Sequence, residues 1–199
     1  MTTKVTNKET QEKRQHSTAL IPYSYYECRL PEDFMNVPMH WHNEFEINYI
    51  CRGRGEFLCG SQKFEACEGD ILMIPPNMLH TAYPCKDREL IYDALVFNPV
   101  LLGSNSKDRC TNECIRPIVN GTIRNNVHIR MDAGRCSELR AVTKRIFACV
   151  HENSPQTDLL LKSELMRFVW LLIEIDNILK KTMGRSTVRP FVRRWNIWH

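Results

Sequence analysis

The chain has 199 residues, of which 43% are hydrophobic and 25% are charged, and its formal net charge is +4 at pH 7. This length suits one soluble globular domain with its own core and is short for two. The small positive charge does not by itself indicate nucleic-acid binding, which needs Lys and Arg clustered on one face.

Several features predict a cytoplasmic protein with no membrane contact. The first eighteen residues are polar and lack the apolar region of a secretory signal. The nine cysteines are odd in number and form no C-x-x-C pair, which favours reduced thiols. The most apolar run, FVWLLIEI, is too short to cross a bilayer and contains Glu174. Cys110 and Cys114 lie four residues apart with no histidine adjacent, and we interpret them as loop cysteines without a role.

The first part of the chain is predicted to be a mobile polar arm, residues 1–18, followed by an antiparallel β unit over residues 19–135. GEFLC and QKFEA flank Gly60-Ser61, which is typical of a tight hairpin. ILMI, stopped by two prolines, and ELIYDALVF are further strands. VHIRM is predicted to be the last strand.

Two helices are predicted over residues 136–182. Ser137 can cap the first, which ends before Asn153, and the second begins at Pro155 or Thr157 and runs to about Lys181. In the second helix, apolar residues step by 4, 3, 4, 3 and 4. These residues are Leu161, Leu165, Phe168, Leu172, Ile175 and Leu179. We predict that they form the interface of a homodimer, because the spacing is that of a helix pair. The alternative is a single helix buried in a monomer core.

The segment MHWHNEFEINYI carries the candidate site. Side chains alternate along a strand, so residues 40, 42, 44, 46 and 48 share a polar face of His, His, Glu, Glu and Asn. The opposite face is mostly apolar, and we expect the C-terminal helices to cover it. A barrel with a polar pocket inside satisfies both faces.

Together with the downstream segment GDILMIPPNMLH, this segment resembles the two motifs of the cupin β-barrel, H-x-H-x3-E and G-x5-P-x-N-x2-H. The resemblance implies a double-stranded β-helix and, in metal-binding cupins, the four ligands His40, His42, Glu46 and His80. Zn, Ni, Fe or Mn would suit this set. Asn77 stands where the second motif usually has glycine, so the direction of His80 is left open.

HWHNEFEINYICRGRGEF, CEGDILMIPPNMLHTAYP and YDALVFNPVLL together resemble the sensor domain of AraC-type transcription regulators over about residues 20–180. The resemblance implies a small-molecule effector in the barrel, dimerisation through the helices, and DNA binding by a helix-turn-helix domain. Such a domain needs about 100 residues. Residues 183–199 form only a basic tail, so we expect DNA binding to depend on residues outside this sequence.

Three interpretations of His40, His42, Glu46 and His80 stay open: a divalent metal site, the polar lining of an organic-effector pocket, and a purely structural hydrogen-bond network. Tyr23, Tyr25 and Tyr26 either close over the pocket or pack as a first strand; we place Tyr23 and Tyr25 at the pocket. No nucleophile has a base beside it, so we predict a sensor that requires no cofactor rather than an enzyme. The alternative is a metal-dependent cupin dioxygenase or isomerase.

Overall fold

The computed structural model describes residues 10–86, 88–120, 128–130 and 137–182, with side chains as far as residue 175. Its β-strands are β1 (Tyr23–Leu30), β2 (Val37–His40), β3 (Phe45–Cys59), β4 (Gln62–Cys67), β5 (Ile71–Ile74), β6 (His80–Pro84), β7 (Leu90–Phe97) and β8 (His128–Ile129). A 3₁₀-helix (Pro99–Leu102), a π-helix (Thr111–Ile115) and α1 (Arg116–Val119) precede the long helices α2 (Ser137–Glu152) and α3 (Pro155–Thr182).

The strands form two antiparallel layers that share β3. The first half of β3 pairs with β5 and β7, giving the order β1-β7-β3-β5-β8, and its second half pairs with β4 and β6, with β2 beside β6. This arrangement is the cupin-like double-stranded β-helix barrel followed by two helices, so the predicted fold class is confirmed.

A glycine corner lets β3 pass from one layer to the other. Gly53 has a φ of +82°, which a residue with a side chain rarely adopts, and a Cβ there would lie 2.0 Å from the Glu89 carbonyl oxygen. At Gly55 a Cβ would lie 2.4 Å from a methyl group of Leu90. Both positions allow the strand to bend closely over β7.

Two apolar clusters lie on the two faces of the β1-β7-β3-β5 layer. The cluster inside the barrel includes Ile50, Phe57 and Leu90. The cluster outside includes Phe45 and Ile47, which pack with residues of α2 and α3. The helices therefore cover the apolar face of the site strand, as its alternating pattern predicts.

The strand predicted over residues 39–50 is interrupted. β2 ends at His40 and β3 begins at Phe45, because the chain turns here from one layer to the other. The Glu44 carboxylate accepts a hydrogen bond from the Ser17 hydroxyl at 3.2 Å and lies 3.8 Å from Nδ1 of His42, on the side of that ring away from Glu46. His42 and Glu46 stay on the same side despite the turn.

The described part of the chain contains no helix that is both long enough and apolar enough to cross a membrane.

Candidate functional site

Four side chains, carried by three strands and one turn, converge at one end of the barrel interior. His40 ends β2, His42 lies in the following turn, Glu46 is the second residue of β3, and His80 begins β6. Backbone pairing sets His40 opposite His80. One potential ligand atom from each of these four residues lies within 4.8 Å of all the others. The resemblance to the two cupin motifs implies this convergence, and the pairing of β2 with β6 brings His80 to the other three residues.

Asn77 aims His80 into the barrel despite standing where glycine is usual. Its φ of 62° is in the left-handed region, which asparagine adopts more readily than most residues. The Asn77 N–H donates to the His42 carbonyl at 2.8 Å, which ties the turn before β6 to the turn before β3. Asn77 therefore forms the same turn that glycine usually forms at this position of the motif.

Each of the three histidines uses Nδ1 to bond a backbone carbonyl. The partners are the oxygens of Pro38 for His40 (2.8 Å), Glu44 for His42 (3.2 Å) and Met78 for His80 (2.8 Å). A carbonyl only accepts, so Nδ1 carries the proton, and a neutral ring keeps its lone pair on Nε2. This second bond is the one that orients metal-binding histidines in proteins.

Glu46 lies at the centre of the site and is buried. Its Oε2 is 3.0 Å from Nε2 of His42 and 3.1 Å from Nε2 of His80. Burial acts to raise the pKa of Glu46, but the neighbouring imidazoles of His80 and His42 outweigh it, and the pKa lies well below 4.5. If both rings were neutral, the Nε2 lone pair of His42 and that of His80 would each face the negative oxygen of Glu46, which is unfavourable. The arrangement therefore requires a proton on one ring, or another cation, between the carboxylate and the imidazole nitrogens.

His80 and His40 differ in the protonation state that their surroundings favour. Burial acts to lower the pKa of His80, but the Glu46 carboxylate overcomes it, and the net pKa is raised above 6.5. Burial, followed by the charge of His80, lowers the pKa of His40. The Glu46 carboxylate therefore favours the charged form of His80, whereas the surroundings of His40 favour the neutral form that can act as a ligand.

A segment of the predicted N-terminal arm lies beside the site. The Glu12 N–H donates to the Trp41 carbonyl at 3.0 Å, and the Trp41 N–H donates to the Thr10 carbonyl at 3.0 Å. Trp41 lies between His40 and His42, so the arm pairs with the backbone that carries two of the candidate ligands. Residues 1–9 of the arm lie outside the described residues.

The arm contributes Glu12 and His16, which sequence reasoning missed. Oε2 of Glu12 is 2.9 Å from Nε2 of His16 and 3.3 Å from Nε2 of His40. His16 is buried, and its Nδ1 is 2.9 Å from the Tyr26 hydroxyl. Burial acts to raise the pKa of Glu12, but His16, and then His40, lower it overall. The Glu-x3-His spacing is the only local signal, and it is too common to identify a site.

A cavity of about 510 Å³ opens from these groups into the barrel, a size typical of small-molecule sites. Its polar wall is formed by Glu12, Arg14, His16, His40, His42 and Glu46; Glu27 borders the cavity, but its carboxylate accepts from the Tyr25 hydroxyl at 3.3 Å on the helix side. Its other wall includes Phe34, Val37, Tyr92, Ala94 and Val96. His80 reaches the cavity only through its contact with Glu46.

The placement of Tyr23 and Tyr25 at the cavity is wrong, because both side chains leave the barrel on its helix side. The Tyr23 hydroxyl donates to Asp158 of α3 at 2.6 Å. The Tyr25 hydroxyl donates to Asp93 at 2.8 Å, and its ring lies 4.5 Å from that of His151 in α2. Tyr26 lies on the opposite face of β1 and lines the cavity. Alternation along the strand separates the faces but does not say which is internal.

The predicted dimer residues are part of the monomer core. Leu161, Leu165, Phe168 and Leu172 are buried within this chain, and Ile175 packs against the same cluster. Leu179 lies outside the residues whose side chains are described. The 4-3-4 spacing is produced here by packing of α3 on α2 and the β layer. The face of α3 that stays exposed includes Leu159, Leu160, Met166 and Trp170.

Comparison with known proteins adds a family match and distant structural neighbours. Residues 24–169 match the family described as AraC-like ligand binding domain. A 96-residue stretch is 28% identical to the uncharacterized HTH-type transcriptional regulator YdeC of Bacillus subtilis strain 168. That match covers 48% of this chain and 33% of the relative, so the chain spans about a third of the regulator's length.

Among solved structures, similar chains include cupin 2 conserved barrel proteins. The Salinispora arenicola protein is 23% identical with a TM-score of 0.35, over 39% of this chain and 64% of that chain. The Rhodopseudomonas palustris protein is 18% identical with a TM-score of 0.36, over 46% and 58%. These alignments cover less than half of this chain, and the fold assignment rests on the strand pairing described above.

Proposed function

This chain belongs to the AraC-like ligand binding domain family, and on that basis we propose that it is the effector-sensing part of a transcription regulator. A small molecule binds in the barrel cavity, and the bound state changes the DNA affinity of a helix-turn-helix domain outside these residues. The match to an HTH-type regulator supports this proposal. The main structural observation in support of this proposal is the cavity inside the barrel.

The two walls of the cavity favour an effector with an apolar body and several oxygen or nitrogen donors. Ala94 and Val96 offer apolar contact, while His40, His42 and Glu46 offer a dense set of hydrogen-bonding groups. Specific small-molecule sites combine mostly apolar surface with a few placed polar groups in this way. Because Nε2 of a neutral imidazole accepts and Glu46 accepts, hydroxyl and ammonium groups are favoured partners.

The same donors fit one divalent metal ion of the first transition row. The three Nδ1–carbonyl bonds leave Nε2 of His40, His42 and His80 as the available nitrogens, with the Glu46 carboxylate among them. The positive charge that Glu46 requires would then come from the metal rather than from a proton on His80. Bound there, the metal would act as a Lewis acid that holds an oxygen or nitrogen of the effector.

Elemental analysis of the chain, purified without a histidine tag, tests the metal. We expect stoichiometric Zn, Ni, Fe or Mn, lost in His42→Ala and kept in His151→Ala, which removes an exposed histidine of α2 that is not in the site. Metal that persists in His42→Ala would contradict ligation by these four residues.

Ligand-dependent thermal stability tests the effector separately. Ala94 lines the apolar wall and touches none of the four donors through any described bond, so Ala94→Leu fills the cavity while leaving the donors in place. A ligand at about 100 times its Kd stabilises a protein by about 2.7 kcal/mol. We expect a metabolite that raises the melting temperature of the wild type to lose this effect in Ala94→Leu. Equal stabilisation of both proteins would contradict binding in the cavity.

A metal-dependent enzyme is the second candidate, favoured by the four-donor set and the open cavity beside it. Turnover of a compound that stabilises the wild-type protein, abolished in His42→Ala, would establish it. Binding without turnover, combined with an effect on DNA affinity in the complete regulator, would establish the sensor.

We also propose a homodimer, now through the exposed face of α3. Leu159, Met166 and Trp170 are spaced by seven and four residues, which places them on one side of a helix. Trp170 is 54% exposed, which is unusual for the largest aromatic side chain and typical of a contact surface.

A further inference from the structure

Two thiols lie side by side on a short helical segment outside the barrel. Cys110 precedes the π-helix Thr111–Ile115 and is exposed, while Cys114 lies within it and is partly buried. The two residues are four apart along this helical segment, a spacing that places their side chains on the same side of it. Neither residue lines the cavity, so this pair is independent of the proposed function.

Pro117 accounts for the wide turn that brings them together. A proline in a helix has no N–H to donate, and its ring clashes with the carbonyl four residues earlier, here that of Glu113. The chain avoids the clash by widening one turn, so that the Arg116 N–H donates to Thr111, five residues back. A wider turn contains more residues, which places side chains four apart nearly above one another.

The segment is held firmly by polar contacts around Thr111. The Asp108 carboxylate accepts from the backbone N–H of Thr111 at 2.9 Å and from its hydroxyl at 3.0 Å. Arg116 donates to the Asn112 side chain at 2.7 Å and to the Ser106 carbonyl at 3.2 Å. The two thiols are therefore presented on an ordered frame with one side open to solvent.

We propose that Cys110 and Cys114 form a dithiol site that binds trivalent arsenic. Arsenous acid, As(OH)₃, condenses with both thiols: two S–As bonds form, two As–OH bonds break, and each thiol proton leaves in a water molecule. Arsenic keeps its oxidation state and one hydroxyl group, so no oxidant is needed. Burial, followed by the proximity of Cys110, raises the pKa of Cys114, which keeps it in the thiol form that this condensation consumes.

The helical geometry favours a bridging atom over a disulfide. Side chains four apart on a helix have Cβ atoms about 5–6 Å apart, whereas a disulfide needs about 3.5–4.5 Å. A direct S–S bond would require the segment to distort against the Asp108 and Arg116 contacts. A single bridging arsenic atom spans the larger gap without this change.

The test uses the reduced 199-residue chain, sodium arsenite as the probe, and intact-mass spectrometry under native conditions. We expect one tightly bound arsenic per chain in the wild type. Cys110→Ser and Cys114→Ser should each weaken binding about 100-fold, because the second bond forms at a high effective concentration. Cys67→Ser is the matched control, since Cys67 is exposed and its thiol contacts Asp70 rather than another cysteine; it should bind arsenic like the wild type.

Cys110 is exposed, so Cys110→Ser decides the question even if Cys114→Ser disturbs the fold. Unchanged arsenic affinity in Cys110→Ser, or no bound arsenic in the wild type, would overturn the proposal. Protection of two thiols from maleimide by arsenite, seen in the wild type and absent in Cys110→Ser, would support it independently of the mass measurement.

Discussion

Replacing Glu46 by glutamine should destabilise the metal-free protein in a pH-dependent way. The carboxylate is buried, and its Oε2 lies 3.0 Å and 3.1 Å from two imidazole nitrogens. Removing one partner of a buried charge pair costs about 3–5 kcal/mol. Because glutamine keeps one acceptor oxygen, we expect the low end of this range, a loss of about 3 kcal/mol in the free energy of unfolding at pH 5.5, where both partners are charged.

The sign of the pH dependence follows from the two shifts. The pKa of His80 is raised above 6.5 in the folded protein, so its contribution is complete below pH 6.5 and is lost as the pH rises through the folded pKa. The pKa of Glu46 is lowered below 4.5, so its contribution is present above pH 4.5 and is lost as the pH falls through the folded pKa. The difference between wild type and Glu46→Gln should therefore be largest from pH 4.5 to 6.5, and on each side it should decline by at most about 1.4 kcal/mol per pH unit.

Urea unfolding followed by circular dichroism, from pH 4 to 9 with a chelator present, measures this difference. Glu32→Gln is the matched control, because it removes an exposed carboxylate that does not line the cavity. A destabilisation by Glu46→Gln that stayed constant from pH 5 to 9 would refute the assignment of the positive charge to His80.

Three further predictions concern α3 and the arm. Leu165→Ala should lower the free energy of unfolding by about 2–5 kcal/mol, because Leu165 is fully buried; a change below about 1 kcal/mol in urea unfolding would contradict its core position. Trp170→Ser should leave the melting temperature unchanged and shift sedimentation towards monomer, whereas Lys144→Ser, at an exposed position of α2, should leave the sedimentation unchanged. Glu12→Gln weakens the contacts with His16 and His40, so trypsin should cleave the arm at Arg14 faster than in the wild type or in Glu32→Gln. Equal cleavage rates would show that Glu12 does not hold the arm.

The sequence predicts the barrel and the four converging donors because both signals are short-range. H-x-H-x3-E places three donors within seven residues, and the resemblance to the second cupin motif implies the fourth, His80. Glu12 and His16 could not be predicted in the same way. Their position depends on backbone pairing between residues 10–12 and Trp41, and no local pattern in a polar arm specifies that partner.

The helix pattern shows a different limit of sequence reasoning. Apolar residues at 4-3-4 spacing specify a buried stripe, but a stripe can be buried by another chain or by the chain's own sheet. Leu165 and Phe168 are buried by α2 and the outer face of the β layer. The faces of β1 show the same limit, because period-2 alternation separates Tyr25 from Tyr26 without identifying the internal face.

The site and the helix core meet on a single strand, which constrains how a bound effector can act. Glu46 projects into the barrel, while its neighbours Phe45 and Ile47 project outwards and are fully buried against the helix cluster. Phe45 stacks on Phe97 with ring centroids 5.5 Å apart, so this layer has little free space to absorb a shift. A ligand that displaces Glu46 must therefore move side chains that pack with α3.

This geometry is necessary for communication but not sufficient. A ligand shifts an equilibrium only by its difference in affinity for two arrangements. The described contacts supply one device that can create such a difference: Glu12 binds His40 from the arm side, and a metal or effector that engages Nε2 of His40 must break that contact. Occupancy of the cavity and docking of the arm then compete for one nitrogen. By linkage, release of the arm should strengthen metal binding by the same factor that the bound metal weakens arm docking, so we expect Glu12→Gln to bind metal more tightly than the wild type. A metal affinity left unchanged by Glu12→Gln would show that the arm and the site are energetically independent.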